Sequence, residues 1–148
     1  MTAIDPRLSL DISNAEGCKL TAYKDTRGLW TLGWGHLLDQ TKDWTGTTWT
    51  QQYADSIRDQ DIASAIQYAQ ALQEYPYLDT PCRQNAVCEL VFNMRKKWNG
   101  FVKCRAAIAR GDWQAAHDQL LASEWKNEVG PTRSARIANY LLTGQYPT

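Results

Sequence analysis

The chain has 148 residues, of which 43% are hydrophobic and 22% charged, a size and balance that suit one soluble domain or two lobes sharing a core. Its 16 basic and 16 acidic side chains cancel, which counts against a nucleic-acid partner. No stretch approaches the roughly 20 apolar residues of a membrane span, and the opening MTAIDPRLSLDISNAEG lacks the basic and apolar regions of an export signal.

Asp5-Pro6 reads as an N-cap followed by proline at the first helical position. Leu8, Ile12 and Ala15 then share one face, and Gly17 is a plausible stop. Residues 19–36 read as a hairpin, broken by the polar Thr26-Arg27-Gly28. Residues 39–50 are polar and read as loop or a short edge strand. A long helix begins around Thr50, patterned by Ala54, Ile57, Ile62, Ala65, Ile66, Ala69 and Leu72, and Pro76 should end it. Asp79-Thr80-Pro81 restarts a helix through Val87, Leu90, Val91 and Met94. Shorter helices are expected over 101–109, 113–122 and 133–142, with breaks at Gly111-Asp112 and Gly130-Pro131-Thr132. The class is α+β, dominated by helix.

The four cysteines, Cys18, Cys82, Cys88 and Cys104, show no CxxC spacing, and neither His36 nor His117 lies near a pair of them. No metal site or other cofactor is expected, and buried free thiols in a reducing cytosol are the preferred reading. Seven Trp and seven Tyr suit stacking on sugar faces, although about five of the Trp should be structural.

The chemistry concentrates between Glu16 and Leu38. Glu16 ends the first helix, where the dipole disfavours a negative charge, as suits a proton donor. Asp25, in a polar turn, should stay ionised. A three-residue loop at Arg27, Gly28 and Leu29 would set Asp25 directly opposite Thr31, so that the two hold one water, whereas a two-residue loop at Arg27-Gly28 would turn Thr31 to the other face. One protonated carboxyl, one ionised carboxylate and a hydroxyl make a minimal kit for glycoside hydrolysis.

The segment E-G-x-x-L-x-A-Y-x-D-x-x-G-x-x-T-x-G-x-G-H, running from Glu16 to His36, closely resembles the signature of the phage-type lysozymes or endolysins, glycoside hydrolase family 24. Eight residues separate Glu16 from Asp25 and five separate Asp25 from Thr31, as in that family's triad. The resemblance continues through NAVCELVFNM at 85–94, GDW at 111–113 and PTRSARIANYLLTGQY at 131–146. It implies a single lysozyme-like catalytic domain over 1–148 that is mainly helical. A small β-hairpin lobe would span about 13–60 and a helical lobe about 1–12 plus 75–148, joined by a long helix over about 50–74.

The resemblance also implies an N-acetylmuramidase acting on peptidoglycan. Glu16 would be the general acid, Asp25 would assist the attacking water, and Thr31 would place it, with inversion at the anomeric carbon. His36 would pair with Asp61, and Arg133 would stand near the catalytic glutamate. Leu37, Phe92, Cys104 and Gln119 would touch the sugar. The protein would be a monomer without cofactor, nucleic acid or stable membrane association. It would wait in the host cytoplasm for a holin-type pore and then act on the cell wall in the periplasm. Trp98 could stack on sugar or simply pack. The run of Arg95, Lys96, Lys97, Lys103, Arg105 and Arg110, with no acid among residues 95–110, could meet anionic envelope polymers or form a solvated face. The competing readings are a lytic transglycosylase, which Asp25 and Thr31 argue against, and a non-catalytic wall-binding module.

Overall fold

The computed structural model describes residues 3–147. Helix α1 (Pro6–Glu16) starts where expected: the Asp5 carboxylate accepts the Arg7 N–H at 2.9 Å, a cap worth about 1 kcal/mol. Leu8 and Ile12 are buried, each contributing about 1.5–3 kcal/mol. Gly17, at φ 65°, ends the helix and turns the chain into a three-stranded antiparallel sheet of order β1 (Lys19–Lys24), β2 (Trp30–Gly33) and β3 (His36–Leu37). The 39–50 segment supplies a short edge: Thr48 bridges Thr21, and Trp49 N–H donates to Leu20.

Helix α2 (Gln51–Gln70) is capped by the Thr50 hydroxyl, which accepts the Tyr53 N–H at 3.1 Å. It ends earlier than Pro76 suggests. From Ala71 onward the chain winds through i→i+3 turns, including the short 3-10 helix Tyr75–Tyr77. These turns leave Glu74 inside, where Trp98 Nε1 and the Arg105 guanidinium both donate to it. An ion pair thus overrides a helix that local propensity would have carried further.

The chain divides into two compact units, Met1–Ser64 and Ala65–Thr148, the division falling within α2. The second unit is helical. Helix α3 (Pro81–Met94), capped by Thr80, is buried along most of its length and packs on α7 (Pro131–Thr143); α5 (Trp113–Leu121) packs on α7, and α4 (Val102–Ala109) on α5. Two elements were not expected, the 3-10 helix Arg95–Gly100 and α6 (Trp125–Val129). Each is held by one buried indole rather than by a periodic stripe: Trp98 donates to Glu74 and Trp125 to Asn93. Among the described residues no helix is long and apolar enough to cross a membrane.

Candidate active site

Glu16 is the last residue of α1, half-buried, and its carboxylate lies against the backbone of Gly35. A Cβ at Gly35 would stand 2.5 Å from Glu16 Oε2 and 3.0 Å from its Cδ. Gly35 also has φ +77°, so the β2–β3 turn requires glycine there on two counts. That turn is fastened from α2: Trp34 Nε1 donates to Asp55 at 2.8 Å, Gln51 donates to the same oxygen, and the Arg58 guanidinium lies 5.2 Å from the Trp34 ring. At the start of the same turn, a Cβ on Gly33 would touch the Trp49 ring at 3.0 Å. Helix α2 therefore fixes the surface on which Glu16 rests.

Asp25 builds its own turn. Its Oδ1 accepts the N–H groups of Arg27 at 2.9 Å and Leu29 at 3.0 Å, while Oδ2 accepts the Arg27 guanidinium at 3.1 Å. Partial burial alone would raise this carboxyl. The Leu29 and Arg27 N–H groups and the Arg27 guanidinium outweigh that and hold it below the ordinary carboxylate range. A depressed folded value means that the stability Asp25 contributes is present above the unfolded carboxylate range and lost as pH falls through the folded one. Arg27→Ala keeps the backbone donors but removes the guanidinium. Its Asp25 titration, followed by carboxyl NMR, should move to higher pH, and acid unfolding should begin at higher pH.

The hairpin register differs from expectation. Thr31 pairs with Tyr23 and Trp30 with Lys24, so Asp25 faces Leu29 and not Thr31. Gly28, at φ +78°, is the third residue of the loop, after Thr26 and Arg27, which places the loop one residue earlier. The pairing slips by two, and a two-residue slip keeps every side chain on its face. Asp25 and Thr31 are therefore diagonal neighbours, a relation that spans about 7–8 Å in a sheet. Leu29 joins them: it donates its N–H to Asp25, while its carbonyl accepts the Asp25 N–H and, at 2.9 Å, the Thr31 hydroxyl. Thr31 is buried and is followed across the sheet by Leu37, which is exposed.

His36 Nδ1 and Asp61 Oδ2 are 2.7 Å apart, so the expected pair is present, and the imidazole ring lies 5.8 Å from that of Trp49. In the second unit, Cys104 and Gln119 line one cavity of about 400 Å³ together with Phe101 and Ser123. Phe92 is not part of that lining and is a buried residue of α3. Arg133, buried on α7, donates to Glu89 at 3.0 Å, and Arg136 donates to both Glu89 oxygens at 2.7 Å. Glu89 was not singled out from sequence. A lone glutamate inside the apolar run AVCELVF was the available signal.

The basic run over 95–110 is partly neutralised from outside it. Arg105 pairs with Glu74, Lys97 with Glu128 at 3.5 Å and Arg110 with Asp112 at 3.5 Å, so spacing along the chain overstated the patch. Trp98 is fully buried and stacked on Phe101 at 5.6 Å, which makes it packing and not a sugar platform. Among the described residues no disulfide joins the four cysteines. Cys18 is half-buried, and burial pushes the thiols of Cys88 and Cys104 up to about 12.

The family model described as phage lysozyme matches residues 13–137. An endolysin of Lactococcus phage c2 is 42% identical over 66 residues, covering 43% of this chain and 26% of that protein. An endolysin of Acyrthosiphon pisum secondary endosymbiont phage 1 is 34% identical over 83 residues, 56% of this chain and 53% of that protein. The chain therefore spans only about a quarter to a half of these two relatives. A probable T4-type lysozyme 2 of Dictyostelium discoideum aligns over 154 positions at 29% identity, covering 87% of this chain and 89% of that protein.

Proposed function

The chain belongs to the phage lysozyme family, and from that premise we propose that it is a muramidase of the endolysin type. It hydrolyses the β-1,4 bond between N-acetylmuramic acid and N-acetylglucosamine in bacterial peptidoglycan and so lyses the host at phage release. The observation that carries this reading is the contrast between two carboxyl groups of one unit. Glu16 closes a helix C-terminus against the Gly35 backbone, whereas Asp25 is kept ionised by the N–H groups of its turn. Glycoside hydrolysis uses two carboxyl groups in different roles, one of them ionised.

In the proposed reaction Glu16 gives its proton to the glycosidic oxygen as the bond from that oxygen to the anomeric carbon breaks. A water attacks the anomeric carbon from the opposite face, and its proton passes to Asp25. The products are a free hydroxyl and a hemiacetal of inverted configuration, a course that needs roughly 6.5–9.5 Å between the carboxyls. The Thr31 hydroxyl gives its hydrogen to Leu29, which leaves its lone pairs to hold that water. His36 with Asp61 supports β3, which carries Leu37. Leu37 in the first unit, and Phe92, Cys104 and Gln119 in the second, are assigned to the glycan. The protein acts as a monomer, reaching the wall from the host cytoplasm through a holin-type pore.

Mass analysis of the muropeptides released from purified sacculi tests the reading. Hydrolysis leaves reducing ends that carry one added water. Release of 1,6-anhydro ends would establish a transglycosylase instead, and no release would leave a wall-binding module.

A further inference from the structure

We propose that Tyr23 is a positioning residue of this reaction, its phenol hydroxyl serving as a neutral hydrogen-bond donor to the attacking water that Asp25 and Thr31 hold. The inference rests on the assignment of Glu16 and Asp25 made above and deepens it. Register is the first ground. Tyr23 pairs directly with Thr31, and Thr31 with Leu37, so the three form one row across the sheet. Asp25 follows Tyr23 by two residues, just past the end of β1, where its N–H still donates to Leu29 across the hairpin. The slip of two that removed Asp25 from the place opposite Thr31 put Tyr23 there.

The second ground is the way the ring is held. Tyr23 is half-buried, and Lys19 Nζ sits 4.2 Å from its ring centroid. Such a contact is worth about 0.5–1 kcal/mol at an exposed site and fixes which way the ring plane lies. The third ground is charge. Burial raises the phenol, and the negative charges of Glu16 and Asp25, with the Cys18 sulfur, act in the same direction. The ionisable groups facing the ring are thus Glu16 from the end of α1, Cys18 from the following turn, Lys19 from β1 and Asp25 from the hairpin loop. Opposite on β2 stands Thr31, which does not ionise. Lys24 is engaged elsewhere, 5.2 Å from the Trp30 ring. A phenol so placed keeps its proton through the mildly acidic and neutral range, in which Asp25 is already ionised. Carboxylates only accept, so a donor that never becomes an anion there is the group the pair requires.

Tyr23→Phe removes the hydroxyl and keeps the ring. On purified sacculi its kcat should fall about tenfold to a hundredfold, the effect of losing one hydrogen bond to a charged group. KM should stay within about twofold. The acid limb of the kcat profile should stay in place, because the donors to Asp25 are the Arg27 and Leu29 groups, and the melting temperature should stay near wild type. Replacement of Tyr23 by a fluorinated tyrosine keeps shape and lowers the phenol pKa, so it should bring down the alkaline limb. An unchanged kcat with an unchanged alkaline limb, or a raised KM alone, would overturn the proposal. Glu16→Gln is run alongside. Activity in that variant would defeat the underlying assignment, whereas an inactive Glu16→Gln beside a fully active Tyr23→Phe would defeat only the role of Tyr23.

Discussion

Gly35→Ala is expected to reduce wall hydrolysis by about a hundredfold or more while costing only about 1–2 kcal/mol of stability. Two effects of different kind coincide at this residue. The first is the backbone: an L-residue at φ +77° is strained by about 1–2 kcal/mol. The second is contact. The added methyl would meet Glu16 Oε2 at 2.5 Å, so the carboxylate must leave its place by the better part of an ångström. A displacement of that size at a catalytic group costs about two orders of magnitude in rate. Gly46→Ala separates the two effects, because Gly46 has φ +80° and nothing within 4 Å of a built Cβ. It should show a similar loss of stability, measured by urea unfolding, with full activity. Equal activities for the two variants would show that Glu16 tolerates the displacement.

Glu89→Gln should produce the largest loss of stability of any single change considered. Glu89 is almost completely buried on α3 and accepts from Arg133 and from both terminal nitrogens of Arg136. Removing its charge leaves two guanidiniums facing a neutral amide, one of them on a side chain that is itself only 9% exposed. Breaking a buried pair from one side costs about 3–5 kcal/mol. That is a large part of the total for a domain of this size, and the melting temperature should drop by about 10 °C. Lys97→Gln is the comparison. Its partner Glu128 lies 3.5 Å away and both side chains are exposed, so the change should stay within about 1 kcal/mol. A small effect at Glu89 would mean that the guanidiniums find other acceptors.

Much of the local architecture was legible because single residues dictate it. Asp5-Pro6 opens α1, Gly17 closes it, and Thr80-Pro81 opens α3, each for a reason contained within a few residues. The His36–Asp61 pair was legible from the family pattern. The register of the hairpin was not. It depends on the Asp25 side chain reaching the Leu29 N–H and on Gly28 alone adopting the positive φ that ends the loop. A shift of one residue in the loop has no signature in hydrophobic alternation. The early end of α2 and the pairing of Arg105 were hidden for a related reason. Glu74 meets Trp98 and Arg105 across 24 and 31 residues, and no periodicity encodes so distant a partner. Gly35 was visible as part of a glycine-rich frame, but only the three-dimensional contact shows that its missing side chain is the seat of Glu16.

The role of Glu16 as general acid is tested most directly by reducing-end release from purified sacculi by Glu16→Gln, with circular dichroism and melting temperature recorded on the same sample. A fold and stability like those of the wild-type protein, with release at the level of a blank, is the predicted result. Release within about tenfold of wild type from a folded Glu16→Gln protein would contradict the assignment of Glu16 as the general acid, whose contribution should be about a hundredfold to ten-thousandfold.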